Sequence, residues 1–181
     1  MMSHLKYITL IISLLSILSI QPHITSATEP GIELIREACK DSLYYDLCVS
    51  SLQSDPEGLK ADIAGLAAIS IKVAHDNAVQ TYKYITEVLN KTADALVQQF
   101  LNDCSENYSD AVDQLGDSIG QVLDKMYGEV NVKVTAAMSD VDSCEQSAKE
   151  QPGKASLLSQ HNFELSKLCN NALVLTKLIS G

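Results

Sequence analysis

Few residues in this chain are able to do chemistry, and their spacing decides which chemistry is open. Gly116-Asp117-Ser118-Ile119-Gly120 matches the G-x-S-x-G pattern of a nucleophile elbow, and His161 lies downstream. An elbow needs a strand before the serine and a helix after it, so that the hydroxyl stands exposed on a sharp turn. Here the preceding residues, Tyr108 to Leu115, carry apolar groups at helical spacing. The pattern therefore reads as a helical segment with two tolerated glycines, and catalytic residues are absent from this reading. Beyond residue 27 the histidines are His75 and His161, each alone on a helical pattern. Without a nucleophile partner, each reads as a packed or solvent-facing side chain. Asp140 and Asp142, two apart, point to different faces of a helix. The remaining carboxylates read as scattered, solvated charge.

The N-terminus sets the compartment. Lys6 precedes an almost wholly apolar run from Ile8 to Ile20, and small residues follow up to Thr25-Ser26-Ala27. This is the layout of a cleaved secretory signal peptide, residues 1–27, rather than of a membrane span, which needs roughly 20 apolar residues. The mature part, 28–181, is long enough for one domain with a single core. Removing Lys6, the one formally charged residue of the leader, takes the net charge from −10 to −11. So acidic a chain repels nucleic acid, anionic membranes and polyanionic polysaccharide, and suits a protein partner. Without a retention signal or hydrophobic tail, the expected destination is outside the cell.

In that compartment the cysteines read as disulfide partners. There are five, Cys39, Cys48, Cys104, Cys144 and Cys169, so one thiol is left over. Four cysteines can pair three ways, and spacing alone does not choose. Cys39 and Cys48 would close a hairpin; Cys104 and Cys144 would then join distant segments. Cys169 lies in an apolar stripe with Leu165, Leu168, Ala172 and Leu173, which suits a buried, inert thiol. No cysteine or histidine pair has zinc-ligand spacing, and no cofactor is called for. Two glycosylation sequons begin at Asn90 and Asn107. Asn90 should be exposed at a helix junction, whereas Asn107 falls on a helix beside Cys104 and Tyr108.

The elements that must position these residues are helical. Two short helices, around Ile32–Cys39 and Tyr45–Gln53, make a hairpin over residues 28–54. Ser54-Asp55-Pro56-Glu57 then predicts a helix start, with Asp55 as cap and Pro56 in the first turn. Apolar groups at three-and-four spacing predict helices over about 56–89, 93–126, 129–150 and 156–179. Leu59, Leu96, Met126, Phe163 and Leu178 are among the positions expected to face inward. Gly116 and Gly120 weaken the second long helix, and a bend is expected there. Pro152-Gly153 ends the third. The class expected is all-α: a four-helix up-down-up-down bundle over 55–181, preceded by a short disulfide-closed helical hairpin.

Several stretches together resemble the plant invertase and pectin methylesterase inhibitor family. They are Cys39-x8-Cys48 with its tyrosines; Leu52-x-Ser54-Asp55-Pro56 followed by Ala61-Asp62; Leu101-Asn102-Asp103-Cys104 through Tyr108 to Leu115; and Thr135-Ala136-Ala137-Met138 through Asp142 to Cys144. The resemblance covers essentially all of the mature chain. It implies the pairings Cys39–Cys48 and Cys104–Cys144, with Cys169 free. It implies inhibition without a cofactor, by a monomer that occludes an enzyme's active-site cleft in a 1:1 complex. The end at Gly181 is similar to that of a free-standing inhibitor rather than the pro-region of a pectinesterase.

Members resembling invertase inhibitors often carry Pro-Lys-Phe ahead of the fourth cysteine. The comparable stretch here, Lys125-Met126-Tyr127-Gly128-Glu129, departs from it. That departure points toward pectin methylesterase in the cell wall, with acid invertase, in the wall or the vacuole, as the alternative. A further alternative is an extracellular allergen-like module with no enzyme target. Lys125, Met126, Tyr127 and Glu129, with the tie between the second and third bundle helices, mark the expected contact region.

Overall fold

The computed structural model describes residues 30–150 and 157–180. The proposed signal peptide and Pro152-Gly153 lie outside the described residues. Among those described, six α-helices and one 3-10 turn make up the regular structure, with no strand. We number the helices α1 (Pro30–Cys39), α2 (Tyr45–Ser54), α3 (Ile63–Leu89), α4 (Ala95–Leu123), α5 (Tyr127–Glu150) and α6 (Ser159–Ser180). Helices α3 to α6 form the bundle: each packs on the next, and α6 closes back onto α3. The short corners at 90–94 and 124–126 force antiparallel neighbours.

The bundle forms because apolar groups recur on one stripe of each helix. Ile71, Ala74, Ala78 and Ile85 of α3 share one core with Phe100, Cys104, Tyr108, Ala111 and Leu115 of α4. The α5 stripe is small, with Val130, Val134, Ala137, Val141 and Ala148 all fully buried. Small residues there let α4 and α5 approach closely, and the large Phe100 and Tyr108 fill the space between layers. Two aspartates start the long helices. Asp62 accepts a hydrogen bond from the Gly65 amide at 2.8 Å, and Asp94 accepts from Leu96 and Val97 at 2.9 and 3.1 Å. Each such cap contributes about 1 kcal/mol.

The first bundle helix begins at Ile63, not at Pro56. Asp55 does accept from the Glu57 amide, at 3.0 Å, but the turn that follows is 3-10, Gly58–Lys60. The chain then runs extended through Ala61 and Asp62 before α3 opens. Close backbone contact explains the break. A Cβ on Gly58 would lie 1.9 Å from the Leu52 carbonyl oxygen, and one on Gly31 2.0 Å from that of Leu59. The segment is thus pressed into the hairpin by its main chain, and the Leu59 side chain is left 42% exposed. Helix α4 runs unbroken through Gly116 and Gly120, so the expected bend does not interrupt its hydrogen bonding.

Cys39–Cys48 closes the hairpin, with Cα atoms 5.8 Å apart, and Cys104–Cys144 joins α4 to α5 at 4.8 Å. Cys169 is free and buried. The hairpin rests on α3 and α6 through its own small core of Ile35, Ala38 and Leu52 against Leu66, Ala67 and Leu175. At its tip, the Ser42 hydroxyl donates to Asn171 Oδ1 and accepts from the Tyr44 amide at 2.9 Å.

Candidate partner-binding surface

Ser118 is fully buried inside α4, and its hydroxyl donates to the Gln114 carbonyl at 2.7 Å. A serine tied to its own helix and shut from solvent is not placed on an elbow. His75 and His161 are both half-buried; His161 stacks at 4.7 Å on Tyr84, and His75 lies 3.5 Å from Asp76 Oδ1. Burial pushes the Cys169 thiol up to about 12, which keeps it protonated and unreactive. Among the described residues no cluster of three or more His, Cys, Asp or Glu could hold a metal ion, and no helix is long and apolar enough to cross a membrane.

The face that α4 and α5 share has a regular construction. Four links cross it: Cys104–Cys144; Gln114 Nε2 to Asp140 Oδ2 at 2.8 Å; Lys133 Nζ to Asp117 at 2.7 Å; and Gln121 Nε2 to Glu129 at 3.4 Å. Partners descend α5 as they ascend α4, as antiparallel helices require. Individually the exposed links contribute little, but with the covalent tie they fix the register of the face. Beside them runs a row of carboxylates, Asp103, Glu106, Asp110 and Asp113, continued by Asp117 of the Lys133 link, all exposed. Their three-and-four spacing puts them on one stripe about 21 Å long. The carboxylates are therefore less scattered than the sequence reading has them. The 3.6-residue period aligns these five, and the signal was present in their spacing. Partial burial and the nearby Asp110 charge raise the pKa of Asp140, against the Gln114 hydrogen bond.

The corner of the expected contact region closes one end of this face. The Met126 amide donates to the Gln121 carbonyl and the Lys125 amide to that of Val122, at 2.9 and 3.1 Å. This is a Schellman ending, whose key residue must be left-handed. That residue is Lys125, at φ 59°. Lys125, Met126 and Glu129 are exposed, whereas Tyr127 is half-buried and packs on the core. The corner thus gathers the expected residues at one end but withdraws the tyrosine. A lysine held left-handed costs about 1 kcal/mol against glycine. Lys125→Gly is expected to raise stability by about that amount in urea unfolding; an unchanged midpoint would contradict the strain.

Behind the face lies a polar group that the sequence reading misses. The buried Tyr108 hydroxyl donates to Asn162 Oδ1 at 2.9 Å, and Asn162 Nδ2 donates to Glu145 at 2.8 Å. Burial holds the tyrosine pKa well above its usual range. Asn162 and Glu145 open into a shallow cavity of about 310 Å³ that Asp142 and Phe163 also line. The available signal was phase: Asn162 falls three or four residues from Leu158 and Leu165 on the buried stripe of α6.

A sequence model of the family described as "Plant invertase/pectin methylesterase inhibitor" matches residues 33–175. A pectinesterase inhibitor of Actinidia deliciosa is 33% identical over 172 residues, covering 95% of this chain and 91% of its own. An Arabidopsis thaliana protein named "Cell wall / vacuolar inhibitor of fructosidase 2" is 36% identical over 131 residues, 72% of this chain and 73% of its own. A crystal structure of a pectin methylesterase inhibitor from Arabidopsis thaliana superposes with a TM-score of 0.62 at 20% identity, covering 80% of this chain and 95% of that one. At that identity the likeness is one of fold. With the family match spanning most of the chain, and both disulfides and the tied bundle in place, this chain belongs to the plant invertase/pectin methylesterase inhibitor family.

Proposed function

We propose that this protein is a secreted inhibitor of plant pectin methylesterase, which it binds one-to-one so as to cover the active-site cleft. The observation that carries the choice of target is the carboxylate row on α4. Pectin methylesterase acts on methyl-esterified polygalacturonate and leaves carboxylates behind, so its cleft must tolerate a strand of regularly spaced negative charge. A rigid helix bearing five carboxylates over about 21 Å, the last of them paired with Lys133, presents such a strand without the cleavable ester. Sucrose is neutral, so the row has no counterpart in the substrate of an invertase. Rigidity matters because a preorganised face loses little entropy on binding. The 36% identity to a fructosidase inhibitor supports acid invertase as the second reading.

Paired inhibition assays decide between them. Purified oxidised protein is expected to inhibit pectin methylesterase and leave acid invertase active. The double variant Glu106→Lys/Asp113→Lys should weaken that inhibition by tenfold or more, and added salt should shrink the difference. Partial burial, with the nearby Asp110 charge, raises the Asp140 pKa, so Asp140 takes up a proton at higher pH than an ordinary aspartate does. Affinity should therefore weaken as pH falls toward the carboxylate range, beginning above the pH at which an unperturbed aspartate protonates. Inhibition of invertase alone, or a double variant that inhibits as well as the parent, would sink this reading.

A further inference from the structure

We propose that Asn90 is the N-glycosylation site of this protein and that Asn107, the second sequon, stays unmodified. Asn90 is the exposed C-cap of α3, where the chain leaves the helix for the connection at 90–94. Lys91 is exposed and Thr92, the third residue of the sequon, is half-buried. The corner at Lys125 lies at the other end of α4, whose 29 residues span about 43 Å. An oligosaccharide at Asn90 thus projects into solvent from the end of the bundle away from that corner, and displaces nothing.

Asn107 has the opposite setting. It is half-buried in the interior of α4, three residues from Cys104, which is bonded to α5. It also lies in helical phase with Gln114, Asp117 and Gln121, whose side chains reach across to α5. A glycan there would have to stand in the α4–α5 face. Timing favours the same choice. Transfer requires the sequon as open chain, and helix closure takes about a microsecond. A sequon in the middle of a long helix is withdrawn early, while one at a helix end stays accessible.

In the transfer step the Asn90 carboxamide nitrogen bonds to C1 of a lipid-linked oligosaccharide diphosphate. The C1–oxygen bond breaks, the amide gives up one proton and the lipid diphosphate leaves. The test is peptide mass spectrometry of the full chain, expressed with its own N-terminal segment in leaf cells and recovered from wall fluid. Glycopeptides are read before and after release by peptide N-glycosidase A. A single glycan at Asn90 is expected, lost in Asn90→Gln and in Thr92→Ala, and kept in Asn107→Gln. Thr92→Ala retains the asparagine and so separates loss of the site from any disturbance of the helix end. An unmodified Asn90 in the secreted protein, a glycan at Asn107, or a chain that never enters the secretory route would each overturn the assignment. The readout is mass, so it is independent of which enzyme the protein inhibits.

Discussion

Replacing Cys104 and Cys144 together by alanine is expected to lower the free energy of unfolding by about 4 kcal/mol. The two residues are 40 apart in sequence, and the bond removes that loop's freedom from the unfolded chain. The nine-residue tie between Cys39 and Cys48 contributes less on the same reasoning, about 2.5 kcal/mol. Both sulfurs of the longer tie belong to fully buried residues, so alanine also leaves a small void. For a domain of this size the melting temperature should fall by roughly 10 °C. Urea unfolding of the double variant beside the parent protein checks the number. A loss under about 1 kcal/mol would mean that the short corner at 124–126 already holds the two helices together in the unfolded ensemble. The same variant should lose inhibition more than stability alone requires, because the tie also holds the register of the α4–α5 face.

Asn162→Ala should cost about 3 kcal/mol, the larger part of it from partners left behind rather than from the amide removed. Tyr108 would keep a fully buried hydroxyl without its acceptor, and Glu145 would lose its 2.8 Å donor. Tyr108→Phe removes the other end and should cost about 1–2 kcal/mol. The double variant Tyr108→Phe/Asn162→Ala removes both polar partners at once. It should be less destabilised than the sum of the single changes, by at least 1 kcal/mol. Chemical denaturation of the four proteins measures the coupling. A strictly additive cycle would show that the hydroxyl and the amide do not depend on each other.

The helices were legible because the bundle is built from stripes, and stripes are periodic. Fold class, element order and both disulfides follow from spacing together with the family resemblance. Helix ends were less legible, because Asp55 and Asp62 are equally good caps and only tertiary contact separates them. Gly58 packs so tightly on Leu52 that the first cap can start no more than a 3-10 turn. The side chains placed wrongly inward lie mainly where a stripe outruns its neighbours. Leu96 is in the first turn of α4 and Leu178 in the last of α6, and they are 62% and 46% exposed. Met126, also exposed, lies in the corner beyond the end of α4. Phe163 was placed in the slot that Asn162 takes. It lies one residue out of phase, flanked instead by Tyr44 at 6.4 Å and by the Lys167 ammonium at 4.9 Å. The polar group of Tyr108, Asn162 and Glu145 joins helices 54 residues apart, and no local pattern announces such a contact.

The two disulfides lie one after the other along the chain and never interleave: Cys39 with Cys48, then Cys104 with Cys144, and Cys169 last and alone. A polypeptide threading N-terminus first into an oxidising compartment would present each cysteine to its final partner before the next pair arrived. Cys169 would emerge when the other four were already joined, and α6 would then carry it into the core. Crossed connectivities would demand bond breaking and reshuffling during biosynthesis, which is slow. Order of synthesis by itself can write this pattern, so maturation should proceed without a disulfide isomerase.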